Sequence, residues 1–179
     1  MKKSQKLKWK IKSMSLPTAM ALLLLCGRVE LSSAGDIEPK GKALAAILGA
    51  TKGVMRKEIP GSNTKAEVFF VKNSAGQVTK MAFVEHAIYE PNCSHTWAIG
   101  LDANSGAVTE IRPIEMGCPH AYPTKAASFL DQFKGKGPAD AAKLDTQVQT
   151  VAKATGTSKL LTDAVKRTLV NYGKIKGQL

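Results

Sequence analysis

The chain has 179 residues, enough for one domain with a substantial core and too few for two large ones. Its formal net charge of +12 is unevenly placed: residues beyond 34 hold only 19 Lys and Arg against 13 Asp and Glu. Those lysines are scattered, and no basic patch is interleaved with aromatic residues, so nucleic acid is not an expected partner.

Residues 1–34 read as an export signal and residues 35–179 as a single domain. Six lysines between Lys2 and Lys12 precede an apolar run from Met14 to Cys26, and Ser32-Ser33-Ala34 supplies small residues before Gly35. The run is short for a membrane span, although an uncleaved anchor is the alternative. Cys26 follows the bulky Leu25, which argues against lipid attachment. A periplasmic or otherwise extracytoplasmic location follows as an expectation. Beyond the signal two cysteines remain, Cys93 and Cys118, and an even count in an exported chain favours one disulfide.

In chain order, residues 39–58 carry Ala43, Leu44, Ile47, Leu48 and Met55 near helical spacing, and Pro60-Gly61 stops the predicted helix. Residues 66–72 and 78–85 are strand-like around the turn Asn73-Ser74-Ala75-Gly76, which predicts a hairpin. A second hairpin is predicted from 96–101 and 108–115 around Asp102-Ala103-Asn104-Ser105-Gly106. Two prolines and a glycine exclude regular structure from 117–123. Residues 126–133 suggest a short helix. A last helix is predicted over 158–172, with Leu161, Val165, Leu169 and Tyr172 on one side. The fold class expected is α+β: a twisted antiparallel sheet of successive hairpins with helices packed on it.

Ala154-Thr155-Gly156-Thr157-Ser158-Lys159 runs into that last helix. The first N–H groups of a helix lack intrahelical partners, and its dipole favours an anion there. Thr157 or Ser158 would cap the helix, with Lys159 adding charge. The plain alternative is that Ser158 is an N-cap and nothing more.

The order of these pieces resembles the FMN-binding domain family, which includes the flavin-carrying subunits of the Rnf complex and of the sodium-pumping NADH:quinone oxidoreductase. Trp97-Ala98-Ile99-Gly100-Leu101-Asp102 with Gly106-Ala107-Val108-Thr109-Glu110-Ile111 is similar to that family's "I.vgid..GkV..v". Ser128-Phe129-Leu130-Asp131-Gln132-Phe133-Lys134-Gly135-Lys136 is similar to its "F..qF.GK", and Ala154-Thr155-Gly156-Thr157-Ser158-Lys159 with Asp163-Ala164-Val165 to its "SGATxTS…aV". The resemblance implies FMN as cofactor, held by Lys153, Ala154, Thr155, Gly156, Thr157, Ser158 and Lys159. It also implies Thr155 as the residue to which flavin phosphate is joined covalently. Gln149, Ala152 and Lys153 depart from the acidic residue, serine and glycine of the "D..SGAT" motif. Those departures bear on covalent attachment more than on phosphate binding. The loop 117–123 is expected to cover the flavin ring, with Tyr122 as a stacking group.

Cys93-Ser94-His95 and Cys118-Pro119-His120 stand at one end of the second hairpin. If Leu101 pairs with Val108, Cys93 lies opposite Met116, with Cys118 two residues further on. Three readings remain open: a structural disulfide, a metal site of Cys93, Cys118, His95 and His120, or a dithiol that exchanges electrons with the flavin. No C-x-x-C-H sequence for a c-type haem occurs, and His86 reads as a strand histidine.

The function expected is an exported electron-transfer flavoprotein, relaying electrons between redox proteins, some of them membrane-associated. The alternative is a flavin-free binding or structural module closed by a disulfide or a metal. Hydrolase and phosphate-hydrolysing signatures are missing from the sequence, and Cys118 with His120 is too close in sequence to build a nucleophile and base alone. Nothing in the sequence sets an oligomeric state.

Overall fold

The computed structural model describes residues 36–59 and 66–179. The export signal, its Cys26 and the Pro60-Gly61 stop therefore lie outside the described residues.

Helix α1 (Lys40–Leu48) buries Ala43, Leu44, Ile47 and Leu48, the i, i+1, i+4, i+5 stripe of an amphipathic helix. It ends ten residues before the sequence-based limit. Gly49 adopts a left-handed φ of 67°, and its N–H bonds the carbonyl of Ala45. The rest of the predicted helix is a turn followed by strand β1 (Met55–Glu58), which pairs with β2 (Glu67–Lys72) from Met55–Phe70 to Glu58–Glu67.

Strands β3 (Val78–Tyr89), β4 (Cys93–Asp102) and β5 (Val108–Met116) complete a five-stranded antiparallel sheet in sequential order. Both hairpins occur where the turn residues predict them. The Asn73 side-chain oxygen accepts from the N–H groups of Ala75 and Gln77, and that of Asp102 accepts from Asn104 and Ser105. The Ser105 bonds hold the Asp102 carboxyl below its ordinary pKa. The strands run longer than expected, β3 by four residues to Tyr89 and β4 by three back to Cys93.

Beyond β5 the chain makes a 3-10 helix over Pro119–Lys125, a finding against the expectation of irregular loop. Pro119 stands at its first turn, where a missing N–H costs nothing. Helix α2 (Ala127–Leu130) and a 3-10 turn (Asp131–Phe133) replace the single short helix. A further 3-10 helix (Pro138–Lys143) and α3 (Leu144–Gln147) lead to α4 (Thr155–Ile175).

Three layers result. One sheet face receives α1 through Ala82, Val84 and Ala98. The other carries the larger core, where Phe83, Trp97 and Ile99 meet Leu161, Val165 and Leu169 of α4 and Phe129 and Phe133.

Candidate functional site

The end of the sheet where β3 turns into β4 faces the start of α4, and between them opens a cavity of about 610 Å³. Its wall is built from three stretches far apart in sequence: Tyr89 to Cys93, then Gly117 with Cys118, His120 and Ala121, then Lys153 to Thr157. A volume of this size lies within the range of small-molecule and cofactor sites.

The register of β4 on β5 brings the first two stretches together. Leu101 pairs with Val108, as expected, but the ladder shifts twice, and His95 pairs with Met116. The Gly117 N–H then bonds the Ser94 carbonyl at 2.7 Å. Cys93 thus faces Cys118 and not Met116, and the two are joined by a disulfide with Cα atoms 5.6 Å apart. Gly117 permits this crossing, because a Cβ there would stand 2.8 Å from the Ser94 carbonyl oxygen.

Helix α4 supplies the third stretch. It begins at Thr155, three residues before the expected start, with Ala154 in the N-cap position and no side-chain cap. The N–H groups of Thr155, Gly156 and Thr157 have no carbonyl of the helix to bond; the first helical bond runs from Ser158 N–H to the Ala154 carbonyl. Lys153, just before the helix, has a φ of 65°, the left-handed region that glycine prefers.

The expected site is partly assembled here. Lys153, Ala154, Thr155, Gly156 and Thr157 line the cavity, as do Cys93, Cys118 and His120. Ser158 and Lys159 do not. Ser158 is fully buried, and its hydroxyl accepts from the Val151 N–H and donates to the Ala154 carbonyl. Neither it nor Thr157 caps the helix, because the helix begins earlier than both. Tyr122 is also outside the cavity wall; its ring sits under the Lys125 ammonium. The aromatic at the cavity is Tyr89, which sequence reasoning missed because it lies past the predicted end of its strand.

His95 is fully buried beside Trp97, with ring centroids 5.6 Å apart, and neither ring nitrogen has a hydrogen-bond partner among the described residues. Burial pushes its pKa down. Behind the sheet, Ser94 and Thr96 donate to Glu115 and hold that carboxyl below its ordinary range. The two sulfurs are joined in a disulfide, and in that state they offer no thiolates to a metal beside His95 and His120. Among the described residues no group of three or more His, Cys, Asp or Glu is placed to hold a metal ion.

Comparison with known proteins gave no match, whether to a family model, a curated protein or a solved structure.

Proposed function

We propose that the cavity binds FMN and that the protein is an exported flavoprotein, relaying electrons between membrane-associated and extracytoplasmic redox proteins. The observation that carries this reading is the uncapped start of α4 opening into a cofactor-sized cavity. Three N–H groups without a partner among the described residues, together with the helix dipole, suit a phosphate dianion, and the Lys153 ammonium adds charge at the same wall. Thr155 offers a hydroxyl at the first helical position, where it meets the cavity. Tyr89 offers a half-exposed ring for an aromatic ligand. The residues present therefore fit a flavin phosphate. FMN would supply reversible redox chemistry that no side chain provides, while the chain binds and orients it.

The departures from the family motif favour a non-covalent flavin. The Gln149 N–H bonds the side chain of Gln132, and Gln149 is outside the cavity wall, so nothing acidic stands there from that position. A flavin-free module closed by the disulfide is the second reading, and the same departures support it.

Equilibrium titration with FMN and riboflavin tests the proposal. FMN is expected to bind at least tenfold more tightly, since only it carries the phosphate. Equal affinity would remove the phosphate seat, and no binding of either would leave the flavin-free module.

A further inference from the structure

The Cys93–Cys118 disulfide is a face of the cavity and is not hidden behind it: both cysteines line the same opening as the start of α4. Cys93 is 8% exposed and Cys118 more so, which leaves the bond reachable from the cavity side. The strands it joins are already paired beside it, through His95 with Met116 and through the Gly117 N–H to the Ser94 carbonyl. Opening the bond therefore leaves the backbone ladder of this wall in place. His120 lines the cavity two residues after Cys118, an imidazole of the kind that favours thiolate over thiol.

We infer that Cys93–Cys118 is a second two-electron centre, which exchanges electrons with a reduced flavin held in the same cavity. This rests on the FMN reading above. In the forward step the S–S bond breaks, and each sulfur takes one electron and one proton. Both electrons and both protons come from the dihydroflavin, which is left oxidised. No third reactant is needed, and the reverse step re-forms the bond. The pair thus doubles the number of electrons the cavity stores.

The test uses full-length protein with Cys26→Ser in every sample, so that Cys93 and Cys118 are the only cysteines, loaded with FMN under anaerobic conditions. Photoreduced free FMN is the reductant, and N-ethylmaleimide then traps thiols for intact-mass measurement. Wild-type protein is expected to gain two maleimide adducts and to take up twice the reducing equivalents of the C93S/C118S double variant. The same protein without bound FMN, given a dithionite dose that matches those equivalents, is expected to gain none. Full reduction of bound flavin with no adducts would overturn the inference while sparing FMN binding. Adducts that form equally in flavin-free protein would also overturn it. Failure of FMN to bind, seen as an unchanged flavin spectrum, would remove both readings. If the double variant does not fold, the comparison of loaded with flavin-free wild type decides alone.

Discussion

The ring of Tyr89 lies against the Cα of Gly156. A Cβ at position 156 would overlap Tyr89 Cε2 and stand 2.9 Å from Cζ. The end of β3 and the first turn of α4 are therefore in contact through a residue without a side chain, and both line the cavity.

Gly156→Ala tests that contact. Tyr89 is 51% exposed, so its ring can swing outward at little cost. Alanine is the better helix former by roughly 1 kcal/mol in a helix interior, and by less in a first turn. The melting temperature is expected to hold or rise slightly, while FMN affinity falls several-fold as the ring is displaced. Calorimetry and a flavin titration on one preparation separate the two effects. Unchanged affinity would mean that Tyr89 does not shape the ligand's place.

Ser158 and Thr155 should behave oppositely. Ser158→Ala removes the acceptor that the part-buried Val151 N–H has among the described residues, at a cost of about 1 kcal/mol, and Ser158 is itself outside the cavity wall. Thr155→Ala removes an exposed hydroxyl at the cavity wall, so binding should weaken with little change in stability. Denaturant titration of both variants beside flavin titration checks the crossover.

The buried carboxylate of Glu85 accepts from Arg167 Nε at 3.1 Å and from the Thr168 hydroxyl at a long 3.5 Å. Burial raises its pKa, and Arg167 only partly offsets that. A raised folded pKa means that the folded state holds this proton longer than the unfolded chain. The associated stability is complete below the ordinary glutamate value and is lost as pH rises through the folded value. Glu85→Gln is expected to flatten that slope. Arg167→Met should cost up to about 3 kcal/mol at neutral pH, the low end for a broken buried pair because Arg167 is itself partly exposed. The penalty should shrink as pH falls and Glu85 becomes neutral. An equal penalty at pH 4 and pH 7 would contradict this account.

The pH dependence of His95 has a different form. Its folded pKa is depressed by burial, so the unfolded chain takes up the proton first as pH falls. Stability from this group is complete above the ordinary histidine value of about 6.5 and declines below it. His95→Leu, which replaces an imidazole with no hydrogen-bond partner among the described residues, should flatten the curve below about pH 6.5. Thermal melts at a series of pH values on either side of about 6.5 provide the measurement.

The two hairpins and the antiparallel α+β arrangement were legible because alternating strands flank strong turn chemistry at Asn73–Gly76 and Asp102–Gly106. The start of β1 was not. Its four residues are mostly exposed, and Met55 happens to fall near the helical spacing of α1. At the site, the small and hydroxyl residues from Ala154 to Thr157 marked the helix start. Ser158 misled because the usual N-cap preference favours serine, while tertiary packing gave the cap position to Ala154 and buried Ser158 one turn inside. Tyr89 and the Glu90–Asn92 turn belong to a different hairpin from the cysteine loop after β5, and only the folded sheet brings them to the cavity. The facing of Cys93 and Cys118 also escaped a simple register count, because alternation along a strand does not announce a bulge.

Those shifts leave the two rails of the β4–β5 ladder unequal. From Leu101 back to Cys93 the chain takes eight steps; from Val108 on to Cys118 it takes ten. Thr109 and Ile114 are the residues without a partner in the pairing. At about 3.3 Å per step, β5 carries roughly 7 Å of surplus contour. Surplus on one rail is taken up as bend and added twist in β5. A chain lacking both Thr109 and Ile114 would still bring Cys118 opposite Cys93, but across a flatter sheet, and the hollow beside α4 would change shape with the cysteines still paired.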